Sequence, residues 1–156
     1  MTLFDVSKYE TPKSNDVDME KTKYNVGIFM NEYLSVRSRC MQPREPKVTS
    51  SFSLVPPTFS NENYGEAESL LIQKEEAMEE MIYLHGLFEK GFSAIQQAFK
   101  KDISDRRKKI FYDRYVLGYS LYVTSERHHV SEDTVFRESN KAIVQFASAL
   151  ELVEFR

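Results

Sequence analysis

The first hydrophobic pattern along the chain begins near residue 20 and predicts an amphipathic helix. Its apolar side chains recur at three- and four-residue steps, which places them on one face of a helix of about 20 residues. They are Val26, Phe29, Met30, Tyr33, Val36 and Cys40. Residues 1–20 are polar and unpatterned, so we predict a flexible N-terminal arm before this helix.

A second helical pattern runs from about Gly65 to Phe99. Apolar residues recur there every seven positions, as in a coiled-coil seam, and a run of glutamates occupies the side predicted to face solvent. The seam residues are Leu71, Met78, His85, Phe92 and Phe99, with Met81, Phe88 and Ile95 interleaved and Glu75, Glu76, Glu79 and Glu80 on the solvated side. Such a seam packs either on the first helix of the same chain or on a second copy of the chain.

The segment between these two helices, residues 42–63, contains four of the five prolines and six serines or threonines. Proline removes a backbone donor and breaks helices, so we predict an extended linker there. Together, residues 21–101 form a predicted helical scaffold that is suited to oligomerisation.

Three shorter helices are predicted within residues 102–156. Ser104 is placed to cap the first of them, and Gly118 to end it. Ser120 and Ser131 are placed to cap the second and the third. No alternating pattern of strand type extends beyond a few residues, so the predicted fold class is all-α.

The composition is globular and excludes little by itself. Of 156 residues, 41% are hydrophobic, and the single cysteine suits a reducing compartment. No apolar run approaches the ~18 residues of a membrane helix, so we expect a cytoplasmic protein with no membrane partner. The net charge of −3 hides an asymmetry: Glu62–Glu89 holds eight acids and one base, whereas Lys100–Lys141 holds ten bases and seven acids. A nucleic-acid partner is therefore compatible with the charge.

Candidate catalytic and metal-binding motifs are weak. Position 82, three residues before His85, is an isoleucine, so the Glu-x-x-His motif of di-iron bundles is absent. His128 and His129 are adjacent and cannot share a helical face. Cys40 lies on an apolar face, as a small buried hydrophobe does. We therefore predict no metal, no cofactor and no enzymatic activity, although an active site assembled from distant residues would leave no such motif.

The spacing around His129 is typical of a helix-turn-helix unit. Counted from Leu121, Ser125 is the small residue inside the first helix, and His129 is the turn residue, a type enriched at positive φ. Val130 then follows the turn, and Val135 anchors the second helix. Ser131 caps that helix, and the pattern predicts a DNA-binding unit.

Helical geometry assigns the residues of the third short helix to two faces. The inner stripe comprises Val135, Ser139, Ala142, Ile143, Phe146, Ala149 and Leu150, and the outer side comprises Asp133, Arg137, Asn140, Lys141 and Val144. We predict that Arg137, Asn140 and Lys141 read or grip the major groove, with Thr134 near the helix start. Phe136 either touches thymine methyl groups or packs on the preceding helix.

The remaining predicted DNA contacts lie at the turn and on basic segments. His129 and Ser131 belong to the turn, and phosphate contacts are predicted for Arg106, Arg107, Lys108, Lys109 and Arg127. Glu132 and Asp133 lie in the first helical turn, where carboxylates interact favourably with the positive end of the helix dipole. Alternatively, a carboxylate there accepts a hydrogen bond from cytosine N4.

These residues also carry a resemblance to a known family. The segment from Arg106 to Leu150 resembles the C-terminal part of the ArpU-like phage regulators, whose helix-turn-helix is similar to region 4 of sigma factors. The matching residues are Arg114, Tyr115, Gly118, Ser120, Ser131, Thr134, Val135, Lys141, Ala142, Phe146 and Ala147. The chain departs from the pattern at Thr124 and His128, where buried aliphatic residues are usual, and at His129, where glycine is usual.

The resemblance implies a transcriptional activator of late phage genes, such as those for packaging and lysis. It implies double-stranded DNA as a partner, and we expect contact with host RNA polymerase or self-association through the scaffold. Two alternatives stay open: a small terminase-like protein of phage DNA packaging, and a helical adaptor that binds only protein.

Overall fold

A computed structural model of the chain describes residues 3–41 and 62–156. Within these ranges the protein is all-helical, as predicted, and its only extended pairing is an isolated bridge between Val17 and Phe155. After a 3₁₀ turn at Val6–Lys8, the helices are α1 (Met19–Met41), α2 (Glu62–Ser93), α3 (Lys101–Phe111), α4 (Leu121–His128) and α5 (Glu132–Ala149), with a π-helical turn at Tyr112–Val116. Residues 42–61 of the predicted linker lie outside the described residues, and Glu62 and Asn63 belong to α2.

Helix α5 occupies the centre of the fold and packs against each of the other four helices. Its Phe146 is fully buried, and the ring lies 4.9 Å from that of Phe111 and 6.0 Å from that of Phe88, centroid to centroid. The same hydrophobic cluster includes Val26, Tyr33 and Val36 of α1. The predicted scaffold (residues 21–101) and the three C-terminal helices (within residues 102–156) therefore share one core. Aromatic packing dominates this core.

The end of the predicted N-terminal arm is fixed to the other end of the chain. Val17 is fully buried and bridges Phe155. The backbone amide of Asp18 donates to the Glu154 carbonyl at 2.8 Å, and that of Arg156 donates to the Asp16 carbonyl at 3.1 Å. This pairing places the start of α1 beside the segment that follows α5.

The predicted seam of α2 is partly wrong. The predicted residues Met81, Phe88, Phe92 and Ile95 face the core together with Leu84, whereas Leu71, Met78 and His85 are exposed. Ile95 and Phe99 lie beyond the end of the helix at Ser93. The inner face is set by α1 and α5, which cover only one side of α2. The four glutamates are exposed, as predicted.

The predicted cap of α3 is also wrong. The helix begins at Lys101, so Ser104 lies within its first turn, and the Ser104 hydroxyl is engaged with the preceding loop. It accepts from the Gln97 amide at 2.6 Å and donates to the Gln97 carbonyl at 3.0 Å. The predicted stop is confirmed: Gly118 has a φ of 72°, which glycine adopts without a Cβ penalty.

No helix in the described part of the chain is both long enough and apolar enough to cross a membrane.

Candidate nucleic-acid interface

The turn between α4 and α5 has the local geometry that the sequence predicts. Ser120 caps α4 by accepting from the Val123 amide at 3.2 Å, and Ser131 caps α5 by accepting from the Thr134 amide at 3.1 Å. Between them His129 adopts the left-handed conformation, with φ 54° and ψ 42°. The two caps and this residue set the direction in which the chain leaves α4 and enters α5.

The packing of α4 on α5 follows the predicted spacing. Ser125 is buried, and its hydroxyl donates to the Tyr122 carbonyl at 2.7 Å. Val135 is fully buried at the start of α5. Thr124, a departure from the family pattern, is also buried, and its hydroxyl donates to the Ser120 carbonyl at 2.8 Å. A threonine fits this apolar position because the helix itself satisfies the hydroxyl.

The predicted base-contacting residues lie on α5, mostly on its open side. Arg137 and Lys141 are exposed, whereas Asn140 is half-buried. At the helix start, Thr134 is half-buried, while Ser131 and His129 are exposed. The turn and the part of α5 up to Lys141 thus present polar, acidic and cationic groups to solvent, because Glu132 and Asp133 are exposed as well.

Phe136 lies beside this surface with half of its side chain exposed. The ammonium group of Lys23, on α1, lies 5.4 Å from the centre of its ring, which fits a cation–π contact. Burial, reinforced by the positive charge of Arg114, lowers the pKa of Lys23 from its usual value. Phe136 therefore contacts Lys23 of α1, a partner that neither predicted role included.

Arg137 is paired within its own helix. Its Nη2 lies 2.7 Å from Oδ2 of Asp133, one turn earlier, and both side chains are largely exposed. A solvated pair of this kind contributes about 0–1 kcal/mol, so an outside acceptor can replace the carboxylate. Asp133 lies on the outer side of α5, as predicted, beside the residue expected to read bases.

Two residues of α5 are placed differently from the prediction. Val144 is buried although it was assigned to the outer side, and Glu138 is buried although no role was predicted for it. The reason is the central position of α5, against which each of the other four helices packs. The exposed face of α5 thus extends from its start to Lys141, and the residues after Lys141 are buried or half-buried.

Arg107 is the clearest correction to the predicted phosphate contacts. It is 5% exposed, and its Nε donates to Oε2 of Glu138 at 2.6 Å. Its Nη1 donates to the Gln96 carbonyl at 2.9 Å and to Oε1 of Gln145 at 3.2 Å. A guanidinium engaged on three sides and shielded from solvent connects α3 to α5 and does not reach a phosphate.

The other predicted phosphate contacts are more accessible. Lys109 and Arg127 are exposed, and Lys108 is half-buried with its Nζ 5.8 Å from the centre of the Phe92 ring. Arg106 is half-buried, and its Nε is buried without a hydrogen-bond partner among the described residues. The structure brings Lys108, Lys109 and Arg127 together around one cleft of about 400 Å³, which we call the α3–α4 cleft.

Asp113 lies at the base of this cleft and was not predicted. The π-helical turn buries its carboxylate, and Oδ2 accepts from Nε of Arg127 at 3.1 Å and from Nε2 of His128 at 2.7 Å. His128, another departure from the ArpU-like pattern, is thus satisfied by a buried acid. No periodicity reveals Asp113, because its partners lie 14 and 15 residues away along the chain.

Known proteins similar to this chain include two phage proteins. An uncharacterized phage-related protein of Listeria innocua, Lin1259/Lin1739, is 28% identical over 145 residues, which cover 93% of this chain and 95% of that protein. Protein Gp66 of Listeria phage A118 is 22% identical over 148 residues, which cover 91% of this chain and 93% of that protein. No protein-family model and no solved structure matches the chain. These similarities support a phage protein.

Proposed function

We propose that the protein is a sequence-specific DNA-binding regulator of transcription, with α4 and α5 as its helix-turn-helix. The observation that carries the proposal is the junction of these helices. The left-handed residue His129 lies between two serine caps, Val135 anchors α5 in the core, and Arg137 projects from the same helix into solvent. This combination is what a helix needs in order to be both rigidly held and open to a major groove.

In this proposal α5 is the recognition helix. Arg137 contacts guanine in a bidentate manner or grips a phosphate, Asn140 contacts adenine, and Lys141 completes the cationic face. The insertion is shallow, because the residues of α5 after Lys141 are buried or half-buried and only the part of the helix up to Lys141 is open to solvent. Base contacts by the N-terminal residues of the recognition helix are usual for this kind of unit.

The acids at the start of α5 are compatible with this role. Glu132 and Asp133 are exposed in the first turn, where carboxylates stabilise the helix by interacting with the positive end of its dipole. Asp133 also holds Arg137 before DNA arrives, through the 2.7 Å pair. Exchange of that carboxylate for the O6 and N7 of guanine replaces one ion-pair contact with two charge-assisted hydrogen bonds.

The regulated genes are proposed to be late phage genes. This part of the proposal is supported by the resemblance to the ArpU-like regulators and by the similarity to phage proteins over nearly the whole chain. The exposed acidic side of α2, with Glu75, Glu76, Glu79 and Glu80, is the proposed surface for contact with RNA polymerase.

The test of the proposed function is selection of bound fragments from the phage genome by the purified protein. We expect enrichment of fragments that lie ahead of late genes, and a promoter reporter that responds to the protein. Absence of enrichment anywhere in the genome would reject the proposal. A mobility-shift assay at two salt concentrations separates it from a protein-only adaptor, because DNA affinity falls steeply with salt.

A second candidate is a DNA-packaging protein of the small terminase type. One observation favours it: the exposed apolar side chains Leu71, Met78 and Ile82 recur along α2, as expected of a helix that assembles with other copies. Ring-like assemblies in solution, combined with an unresponsive promoter reporter, would support this candidate over the first.

A further inference from the structure

The α3–α4 cleft is open to solvent and is lined by cationic side chains from two helices. Lys108 and Lys109 reach it from α3, and Arg127 reaches it from the end of α4. Asp105 and Asp113 also line the cleft, so its two lysines, one arginine and two acids together carry a net charge of +1. A lining of this charge matches a singly charged phosphodiester.

The guanidinium of Arg127 is held in place by contacts with Asp113 and Tyr119. Its Nε donates to Oδ2 of Asp113 at 3.1 Å, and its Cζ lies 4.9 Å from the centre of the Tyr119 ring. Within the described residues this Nε bond is its only hydrogen bond, and half of the side chain is exposed. The two terminal nitrogens therefore remain for an acceptor outside the chain, in the fork geometry that fits a phosphate.

Asp113 is itself rigidly placed. Its carboxylate is buried in the π-helical turn, and its backbone carbonyl accepts from the Tyr119 amide at 2.9 Å. The same residue thus fixes Tyr119, the ring beneath Arg127, and the Nε of Arg127. Because Arg127 and His128 cover this carboxylate, its charge does not confront a ligand at the mouth of the cleft.

The position of the cleft suits the DNA backbone. In helix-turn-helix proteins the first helix crosses the backbone while the second enters the groove. Arg127 belongs to the last turn of α4, and α5 begins at Glu132. A helix α5 lying in the groove therefore keeps Arg127 close to the strand that borders it.

We propose that the α3–α4 cleft binds one backbone phosphate of duplex DNA, with Arg127 as the principal ligand and Asp113 as its positioning residue. Lys108 and Lys109 add charge at the rim. The inference rests on the proposed function. It assigns a site that binds the DNA backbone irrespective of the base sequence.

The test is a double-mutant cycle, measured by binding to a duplex of random sequence as the salt concentration is varied. Arg127→Gln is expected to weaken binding about tenfold and to lower the slope of log K against log salt by about 1, because one phosphate contact is lost. Asp113→Asn is expected to weaken binding about threefold, and to have no further effect once Arg127 is glutamine. Additive effects of the two substitutions would reduce Asp113 to a structural residue and overturn its assignment.

Two controls separate the site from general charge and from folding. Arg39→Gln removes the same charge from an exposed arginine of α1 and is expected to change binding less than twofold. Arg127→Lys keeps the charge but lacks Nε and the planar fork, so binding should fall while the thermal melting curve stays unchanged. This variant keeps the test valid if Asp113→Asn does not fold.

The failures of the two proposals are distinguishable. If the wild-type protein binds the duplex and Arg127→Gln binds equally well, the cleft assignment is overturned and the DNA-binding function stands. If the wild-type protein binds no duplex but inorganic pyrophosphate raises its melting temperature in an Arg127-dependent manner, the cleft binds free phosphate compounds. That outcome overturns both the backbone assignment and the proposed function.

Discussion

Arg107 on α3 and Glu138 on α5 form an ion pair that is almost fully removed from solvent, with Nε 2.6 Å from Oε2. The remaining donors of Arg107 bond to the Gln96 carbonyl and the Gln145 side chain. One guanidinium therefore ties together α3, the loop before it and the central helix.

Removal of one partner of this pair is expected to destabilise the fold strongly. Arg107→Met leaves the buried Glu138 carboxylate without its cation and should cost about 3–5 kcal/mol in the free energy of unfolding. The double variant Arg107→Met, Glu138→Leu should lose less, because no charge remains buried. Urea unfolding of the three proteins measures this difference. A double variant that is less stable than Arg107→Met would contradict the expectation.

Two glycines of α2 offer a matched test of the contact between α2 and α5. A Cβ at Gly91 would lie 2.6 Å from two ring carbons of Phe146, whereas a Cβ at Gly86 would have nothing within 4 Å. Gly91→Ala should therefore destabilise the fold by about 1–3 kcal/mol through overpacking. Gly86→Ala should stabilise it by up to about 1 kcal/mol, because alanine favours the helix. Thermal unfolding of both variants gives the sign, and equal effects would disprove the close approach.

Arg137 and Asp133 are expected to act oppositely on DNA binding. Arg137→Ala should cost about 1–3 kcal/mol of specific operator binding if the guanidinium contacts a base. Asp133→Asn removes a carboxylate from the same surface, so binding to random duplex should strengthen a few-fold. Arg39→Ala is the control, since Arg39 is also exposed and lies 3.6 Å from an acid, Glu32. Unchanged affinity and unchanged sequence preference in Arg137→Ala would remove that residue from the interface.

A loss of stability in alkali is expected from Tyr115, which is partly buried against the hydrophobic core. Burial raises its pKa above the usual value, with Arg114 opposing the shift. Above about pH 10 the unfolded chain releases this proton while the folded protein keeps it, so the stabilisation present at lower pH is lost as pH rises. Tyr115→Phe should reduce the slope of stability against pH by up to about 1.4 kcal/mol per unit. Urea unfolding at pH 9 and pH 11 measures it, and an unchanged slope would argue against the shift.

Features that depend on neighbouring residues in the chain could be predicted from the sequence. The caps at Ser120 and Ser131, the left-handed residue His129 and the stop at Gly118 all follow from the preferences of single residues beside a helix end. The first helix was predicted nearly to its ends, because its apolar face is regular.

Features that depend on distant parts of the chain could not be predicted. Ser104 looks like a helix cap, but the preceding loop engages its hydroxyl. Arg107 belongs to a basic run, and only the fold shows that Glu138, 31 residues later, neutralises it. The exposed seam of α2 has the periodicity of a buried one, and only the position of α1 and α5 decides which side is covered.

The pairing between the two ends of the described fold has a consequence for synthesis on the ribosome. The Asn25 side chain donates to the Leu152 carbonyl, and the Glu154 amide donates to the Thr22 hydroxyl, across 127 and 132 positions of the chain. At usual translation rates these positions are made on the order of 10 s apart. During that interval the apolar face of α1 lacks α5 as well, so part of that face stays uncovered on the nascent chain until the last helix has been made.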